Sequence, residues 1–272
     1  MRCLYVDLDG TLLGPGGSLL HGADGRFALD GVRALQACWR ADVEVVLYSG
    51  RRQSSVFEDS RLIGSSSYIF ELGSGLVLDG DLEWLTDGVV PSLDRGMIYD
   101  QIERSGAPAL LLDRFADRLE YHTPWSVGRD VSHLFRGAID LTAAHEVLDD
   151  AGLGWLRLVD NGVVRAASEQ MQGLPVIHAY HLIPAGASKA RAVARHMRAR
   201  GYSPADCIAV GDSREDIDAA SVVGAFWLVA NALERDPDLA SEIAGRPGVR
   251  VASEPYGAGV YEAVVTTLAT ER

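Results

Sequence analysis

The chain has 272 residues, of which 47% are hydrophobic, 23% charged and 7% aromatic, close to the averages for globular proteins. These figures argue against disorder, collagen and coiled coil, and the length predicts one large domain with an insert or two unequal domains. With 25 Lys plus Arg against 38 Asp plus Glu, the formal net charge is -13, which repels nucleic acid and anionic bilayers. We therefore expect neither nucleic acid nor a membrane as a partner.

The cysteines argue against a disulfide framework. There are three, Cys3, Cys38 and Cys207, an odd number without metal-type spacing, so the sequence predicts no zinc site either. Carboxylates interrupt the N-terminal apolar stretch too early for a signal peptide, and no apolar run reaches the ~18 residues of a membrane span. We expect a cytoplasmic protein.

Arginine accounts for almost all of the basic residues: the chain has 24 arginines and a single lysine, Lys189. Arginine presents a broad planar fork, whereas lysine presents a compact ammonium that can act as a point charge between crowded oxygens. Lys189 is therefore a candidate functional residue, and codon bias with one surviving lysine is the alternative.

Short apolar runs that end in polar or glycine residues predict buried parallel strands at residues 4–8, 43–48, 207–210 and 225–230. Helical patterns accompany them. They begin after Asp30, at the N-cap Ser188 and at Gly257, and the second is expected to stop at Gly201. This alternation predicts an α/β fold with a doubly wound, Rossmann-like parallel-sheet core.

Residues 84–179 differ from the rest of the chain in their sequence pattern. Helical patterns at residues 98–105 and 142–151 flank less apolar strands, and Asp160-Asn161-Gly162 has the composition of a hairpin turn. We predict a smaller, mixed α/β cap domain here, with mostly antiparallel strands. It would be inserted into a core made of residues 1–83 and 180–272.

Two carboxylates follow the first predicted strand, in the sequence Asp7-Leu8-Asp9-Gly10-Thr11. In an extended chain, residues 7 and 9 point to the same side, at the sheet edge where ligands bind. Like charges so close repel unless a cation lies between them, and Mg²⁺ suits carboxylate ligands. The alternative is an ordinary charged turn.

Three further motifs lie at strand ends or helix starts. Ser49 and Gly50 end the second run and offer a hydroxyl and a backbone N–H for phosphate oxygens. Lys189 lies beside a helix N-cap, where a cation is disfavoured unless an anion is present. Asp212 and Asp216 follow the third run. Each could be a simple turn, but four in this order indicate one site for phosphate and metal.

Together these motifs resemble those of the haloacid dehalogenase superfamily. The large insert between Ser49 and Lys189 is similar to the branch of Cof-type, sucrose-phosphate and trehalose-phosphate phosphatases. The resemblance implies a core in which the first aspartate is phosphorylated, and Asp9, two residues later, favours a phosphatase or phosphomutase over a dehalogenase or transport ATPase.

The resemblance also implies a role for each motif residue. Asp7 would be the nucleophile, and Asp9 the general acid and base. Phosphate would be bound by Thr11, Ser49, Gly50 and Lys189, and Mg²⁺ by Asp7, Asp9 (through its backbone carbonyl), Asp212 and Asp216.

Substrate choice is expected to come from other residues. The candidates are Arg51, His122, Arg129, His133 and Arg136. The last three are spaced so that they could share one helix face and reach a second anionic group of the substrate. An ordinary solvated face is the alternative, and for Arg51 it is an ion pair with a core acid.

The expected function is a Mg²⁺-dependent phosphomonoesterase that acts, as a monomer or homodimer, on a small-molecule phosphate ester, a sugar phosphate or glycosyl-phosphoglycerate. A phosphomutase of the phosphomannomutase type and a non-catalytic phosphate-binding protein on the same fold are the alternatives. A signalling receiver domain fits less well, because it lacks so long an insert.

Overall fold

The computed structural model describes residues 1–164, 168–174 and 176–270. Numbered along the chain, its strands are β1 (Cys3–Val6), β2 (Glu44–Tyr48), β3 (Tyr68–Phe70), β4 (Gly75–Leu78), β5 (Asp81–Trp84), β6 (Leu119–Tyr121), β7 (His133–Gly137), β8 (Leu156–Val164), β9 (Ile177–Pro184), β10 (Cys207–Gly211), β11 (Ala225–Leu228) and β12 (Val249–Val251). Its α-helices are α1 (Asp30–Arg40), α2 (Gln53–Ile63), α3 (Ile98–Arg104), α4 (Ala107–Arg114), α5 (Leu141–Asp150), α6 (Lys189–Arg200), α7 (Arg214–Ile217), α8 (Asn231–Arg235), α9 (Leu239–Ile243) and α10 (Tyr256–Thr270).

The chain divides into two compact units, Met1–Glu83 with Ser188–Arg272, and Trp84–Ala187. The eight-stranded sheet has the order β12-β11-β10-β1-β2-β3-β4-β5. Neighbours from β12 to β3 are parallel, and β4 runs antiparallel to β3. This parallel-dominated sheet with intervening helices confirms the predicted fold class.

The central strands are buried because their sequences are apolar throughout. Leu4, Val46 and Ala209, one from each of β1, β2 and β10, are fully buried, as expected for parallel strands covered on both faces. Helix α6 begins where Ser188 Oγ accepts a hydrogen bond from the Arg191 N–H, and ends at Gly201 with φ +66°. Both ends match the capping signals in the sequence.

The second unit contains a four-stranded antiparallel sheet in the order β6-β7-β9-β8. The predicted hairpin turn at residues 160–162 is wrong, because these residues lie within β8. Asp160 Oδ1 accepts a hydrogen bond from the Gly162 N–H at 2.8 Å, and the pairing with β9 shifts between Asp160 and Val163. The turn-forming residues therefore make an irregularity in the strand without reversing the chain.

The predicted helix face that carries Arg129, His133 and Arg136 is also wrong. His133 and Arg136 lie on strand β7, which pairs with β9, and Arg129 precedes that strand. Residues three apart on a strand point to opposite faces, so these two side chains do not form one surface. Over the part of the chain that the structure describes, no helix combines the length and apolar character needed to cross a membrane.

Candidate active site

Three adjacent strands bring the sequence motifs to one edge of the large sheet. Asp7 follows β1, Ser49 follows β2, and Asp212 follows β10, and β1 lies between the other two in parallel register. The carboxyl ends of parallel strands meet at the same edge, which is where open α/β sheets bind ligands.

Lys189 joins two carboxylates inside this edge. Its Nζ donates hydrogen bonds to Asp7 Oδ1 at 2.8 Å and to Asp216 Oδ1 at 2.6 Å. The side chains of Lys189, Asp7 and Asp216 are 1%, 7% and 0% exposed. Burial raises the pKa of the Asp7 carboxyl well above its usual range, against the opposing effect of Lys189, and the charges of Asp216 and Asp212 add to the rise. The site concentrates negative charge around one ammonium.

The loop after β10 is organised by Asp216. Its Oδ2 accepts hydrogen bonds from the N–H groups of Asp212 and Ser213, at 3.2 and 3.0 Å, and from Ser213 Oγ at 2.6 Å. Burial raises the pKa of Asp212 to about 7, although Arg235, whose Nη1 donates to Asp212 Oδ2 at 2.6 Å, opposes the rise. Oxygens of Asp7, Asp212 and Asp216 lie within 4.8 Å of one another. Three carboxylate oxygens at this spacing suit a hard divalent cation.

Asp9 is more exposed than the three clustered carboxylates. Its side chain is 57% exposed and binds Arg51, whereas the Asp7 side chain is buried. The chain turns directly after β1, because the Leu12 N–H donates to the Asp7 carbonyl and the Leu13 N–H to the Leu8 carbonyl. Gly10 permits this turn with φ +88°.

The predicted phosphate-binding residues lie at the same strand ends. Ser49 is 2% exposed, and its Oγ accepts a hydrogen bond from the Arg51 N–H at 3.2 Å. Thr11 is fully buried, and its Oγ1 has no hydrogen-bond partner among the described residues. A buried hydroxyl in that state can still donate to a ligand oxygen.

The predicted specificity residues differ in their surroundings. Arg51 pairs with both Asp9 and Asp59. In the second unit, His133 is buried and stacked on Tyr99, with ring centroids 3.8 Å apart, and Arg136 donates to Glu120 at 2.6 Å. Arg129 donates to the Trp125 carbonyl, and burial lowers the pKa of His122 to about 4. Their role in choosing a substrate stays a prediction.

Sequence reasoning missed three residues at the large-sheet edge. Arg235 pairs with Asp212, and Asn231 Nδ2 donates to the Gly10 carbonyl at 2.8 Å. The Tyr48 ring lies 4.9 Å from Lys189 Nζ. A polar residue directly after the β11 run could have indicated Asn231, but no local pattern marks Arg235.

The chain is similar in sequence to known hydrolases. A family model described as haloacid dehalogenase-like hydrolase matches residues 177–246. The chain is 27% identical over 266 residues to a phosphoglycolate phosphatase of Archaeoglobus fulgidus, covering 97% of this chain and 95% of that protein. It is 28% identical to a phosphoglycolate phosphatase of Halorubrum lacusprofundi, covering 84% of each.

Solved structures share the fold. The sucrose-phosphatase of a Synechocystis species, solved with sucrose and phosphate, superposes with a TM-score of 0.64 at 17% identity, covering 98% of each chain. A protein of Thermoplasma acidophilum gives the same TM-score at 16% identity and the same coverage.

Proposed function

We propose that this chain is a member of the haloacid dehalogenase superfamily of hydrolases and a phosphatase that cleaves a small phosphate monoester through a phosphorylated Asp7. One observation carries the proposal. The buried Asp7 carboxylate lies 2.8 Å from the ammonium of the chain's single lysine, beside Asp212 and Asp216. A carboxylate can attack a phosphate dianion only where positive charge offsets the repulsion.

The carboxylate set fits Mg²⁺. Asp7 and Asp212 would hold the ion, Asp216 would support it, and Asp9 would contribute its backbone carbonyl. Oxygens from the three clustered carboxylates lie within 4.8 Å of one another. Burial first, and then the charges of neighbouring carboxylates, raise the pKa of Asp7 and of Asp212. When bound, the ion supplies positive charge next to the phosphate.

The chain's own groups can carry both chemical steps. In the first, an Asp7 oxygen forms a bond to phosphorus while the ester P–O bond breaks, and the leaving alkoxide takes a proton from the Asp9 carboxyl. In the second, Asp9 takes a proton from water, whose oxygen attacks phosphorus and releases Asp7 and inorganic phosphate. Thr11, Ser49, Gly50 and Lys189 would orient the phosphate oxygens.

The substrate is proposed from the relatives. Both curated relatives described above are phosphoglycolate phosphatases, so phosphoglycolate is the first ester to test. The sucrose-phosphatase likeness is at the level of fold alone, and sugar phosphates stand second.

The experiment is phosphate release from phosphoglycolate, sugar phosphates, phosphoglycerates, a nucleotide and an aryl phosphate, with and without Mg²⁺. Asp7→Asn is compared with Asp113→Asn, which changes an exposed aspartate on α4. We expect Mg²⁺-dependent release that Asp7→Asn abolishes and Asp113→Asn leaves unchanged. The proposal would be contradicted if the wild-type protein released no phosphate from any ester, or if Asp7→Asn kept full activity. In the first case, the next assay would be turnover of a sugar phosphate in the presence of a bisphosphate, which tests for a mutase.

A further inference from the structure

The opposite edge of the large sheet carries a second group of ligand-type side chains. Cys207, Cys3 and Glu44 are the first residues of β10, β1 and β2, the three central strands. Cys3 is the register partner of both Cys207 and Glu44. Partners in parallel register project from the same face of a sheet, so the three side chains form one row.

Helix α6 places His196 on this row. The ligand atoms of Cys3, Glu44 and His196 lie within 4.8 Å of one another. Both cysteines and the histidine are buried, and all three cysteines of the chain are free thiols. Burial, and then a hydrogen bond with the Cys207 thiol, raise the pKa of the Cys3 thiol.

His196 has one satisfied and one unsatisfied nitrogen. Its Nδ1 lies 2.8 Å from the Tyr5 hydroxyl. Among the described residues, its Nε2 has no hydrogen bond of acceptable geometry, although Glu44 Oε1 lies 3.5 Å away. A metal-bound histidine commonly has this arrangement, with the other ring nitrogen held by a hydrogen bond. Two ligand atoms bound to a tetrahedral ion at about 2.0 Å are about 3.3 Å apart. The distance between His196 Nε2 and Glu44 Oε1, 3.5 Å, is close to this value.

We propose that Cys3, His196 and Glu44, whose ligand atoms lie within 4.8 Å of one another, bind one zinc-type divalent ion at the amino ends of the central strands, with Cys207 beside Cys3 in the sheet. Thiolate and imidazole ligands select zinc over magnesium, which prefers oxygen. One thiolate and one carboxylate balance the charge of a divalent ion. The Arg200 guanidinium donates to Glu44 Oε1 at 2.9 Å and also pairs with Asp79. The Tyr202 hydroxyl donates to Glu44 Oε2, also at 2.9 Å, and orients the carboxylate.

This site is separate from the phosphatase site. Cys3 and Asp7 are four residues apart along β1, or about 13 Å in extended chain. Lys189 and His196 both lie on α6, seven residues or about 10 Å apart. A metal ion at the second site would join α6 to β1 and stabilise the helix that carries Lys189.

The test uses the full chain, reduced and stripped with a chelator, then titrated with Co²⁺ in excess Mg²⁺. We expect one equivalent of Co²⁺ to produce a thiolate-to-cobalt charge-transfer band, together with the visible bands of tetrahedral coordination. One equivalent of Zn²⁺ should displace it and raise the melting temperature. Cys38→Ser, which changes a buried cysteine outside the row, should behave as wild type.

Variants locate the ion. Cys3→Ser should lose most of the charge-transfer band, and His196→Gln should weaken Zn²⁺ binding by about tenfold or more. Asp212→Asn should leave the band intact, because that residue belongs to the other edge of the sheet. Absence of a thiolate band in reduced wild type overturns the proposal even if the variants misfold, and so does an unchanged band in folded Cys3→Ser.

Discussion

The Arg51 guanidinium holds the Asp9 carboxylate through two hydrogen bonds, Nε to Oδ2 and Nη2 to Oδ1, each 2.6 Å long. Its remaining nitrogen, Nη1, donates to Asp59 Oδ2 at 2.9 Å. Paired bonds of this kind set both the position and the plane of a carboxylate. Arg51 therefore fixes the plane of the Asp9 carboxylate, and one of these bonds must open before Asp9 can donate a proton as general acid.

Replacing Arg51 should lower turnover more than substrate affinity. Arg51→Lys keeps the charge but loses the paired geometry, so we expect kcat to fall about 10- to 100-fold with little change in KM. Steady-state kinetics on the best ester from the panel measures both. Arg52→Lys, at the neighbouring exposed arginine, serves as the control. A rise in KM at constant kcat would show instead that Arg51 binds substrate.

Replacing Lys189 should destabilise the metal-free protein. Lys189→Met leaves Asp7 and Asp216 buried without their shared cation, and breaking a buried pair costs about 3–5 kcal/mol. Mg²⁺ should restore part of this loss, because a bound cation offsets the same carboxylates. Urea unfolding with and without Mg²⁺ measures the effect, with Arg191→Met on the exposed side of α6 as control. Equal stability of Lys189→Met and wild type without Mg²⁺ would contradict this account.

Gly10 should tolerate no side chain. A Cβ there would overlap Asp212 Oδ2, and φ is +88°. Gly16 has a similar φ of +76° but nothing within 4 Å of its Cβ position. We expect both Gly10→Ala and Gly16→Ala to lose about 1 kcal/mol of stability from the left-handed backbone, and only Gly10→Ala to lose phosphatase activity. Full activity of Gly10→Ala would mean that Asp212 can move without consequence.

His122 should make the protein less stable in acid. Burial, and then the charges of Arg136 and Arg129, lower its pKa to about 4, below the ordinary value near 6.5. The folded state binds this proton less tightly than the unfolded state, so stability present above pH 6.5 is lost as the pH falls towards 4.

The measurement is the free energy of unfolding between pH 7 and pH 4. A pKa unit corresponds to about 1.4 kcal/mol, and solvent screening of this half-buried side chain reduces the effect, so wild type should lose roughly 1–2 kcal/mol more than His122→Gln. His21→Gln, at an exposed histidine, should follow wild type. Parallel curves for wild type and His122→Gln would refute the contribution of His122.

Local patterns predicted much of the fold. The apolar run before Asp7 became β1, and the helix expected between Ser188 and Gly201 became α6 with both caps in place. These elements depend on neighbours within a few residues, since strand burial, N-capping and the left-handed glycine all act over that range. The antiparallel strands of the second unit were also predicted correctly.

The errors arose where distant pairing overrides local preference. Asp160-Asn161-Gly162 has turn composition, yet pairing with β9 keeps it within a strand. His133 and Arg136 have helical spacing, yet β7 lies between β6 and β9 in a sheet. In both places the hydrogen bonds of the sheet satisfy backbone groups that the predicted turn and helix would have satisfied locally.

By itself, the sequence determined that Asp7 and Ser49 stand at strand ends and that the single lysine begins a helix, because strand and cap signals are local. Only the tertiary structure decided what these groups contact. In the folded chain, Arg51 hydrogen-bonds Asp9 and Arg235 hydrogen-bonds Asp212. Cys3 and Cys207, 204 positions apart in the sequence, are register partners on neighbouring strands. Residue spacing along the chain does not predict such contacts, because the order of strands in a sheet depends on how the whole unit packs.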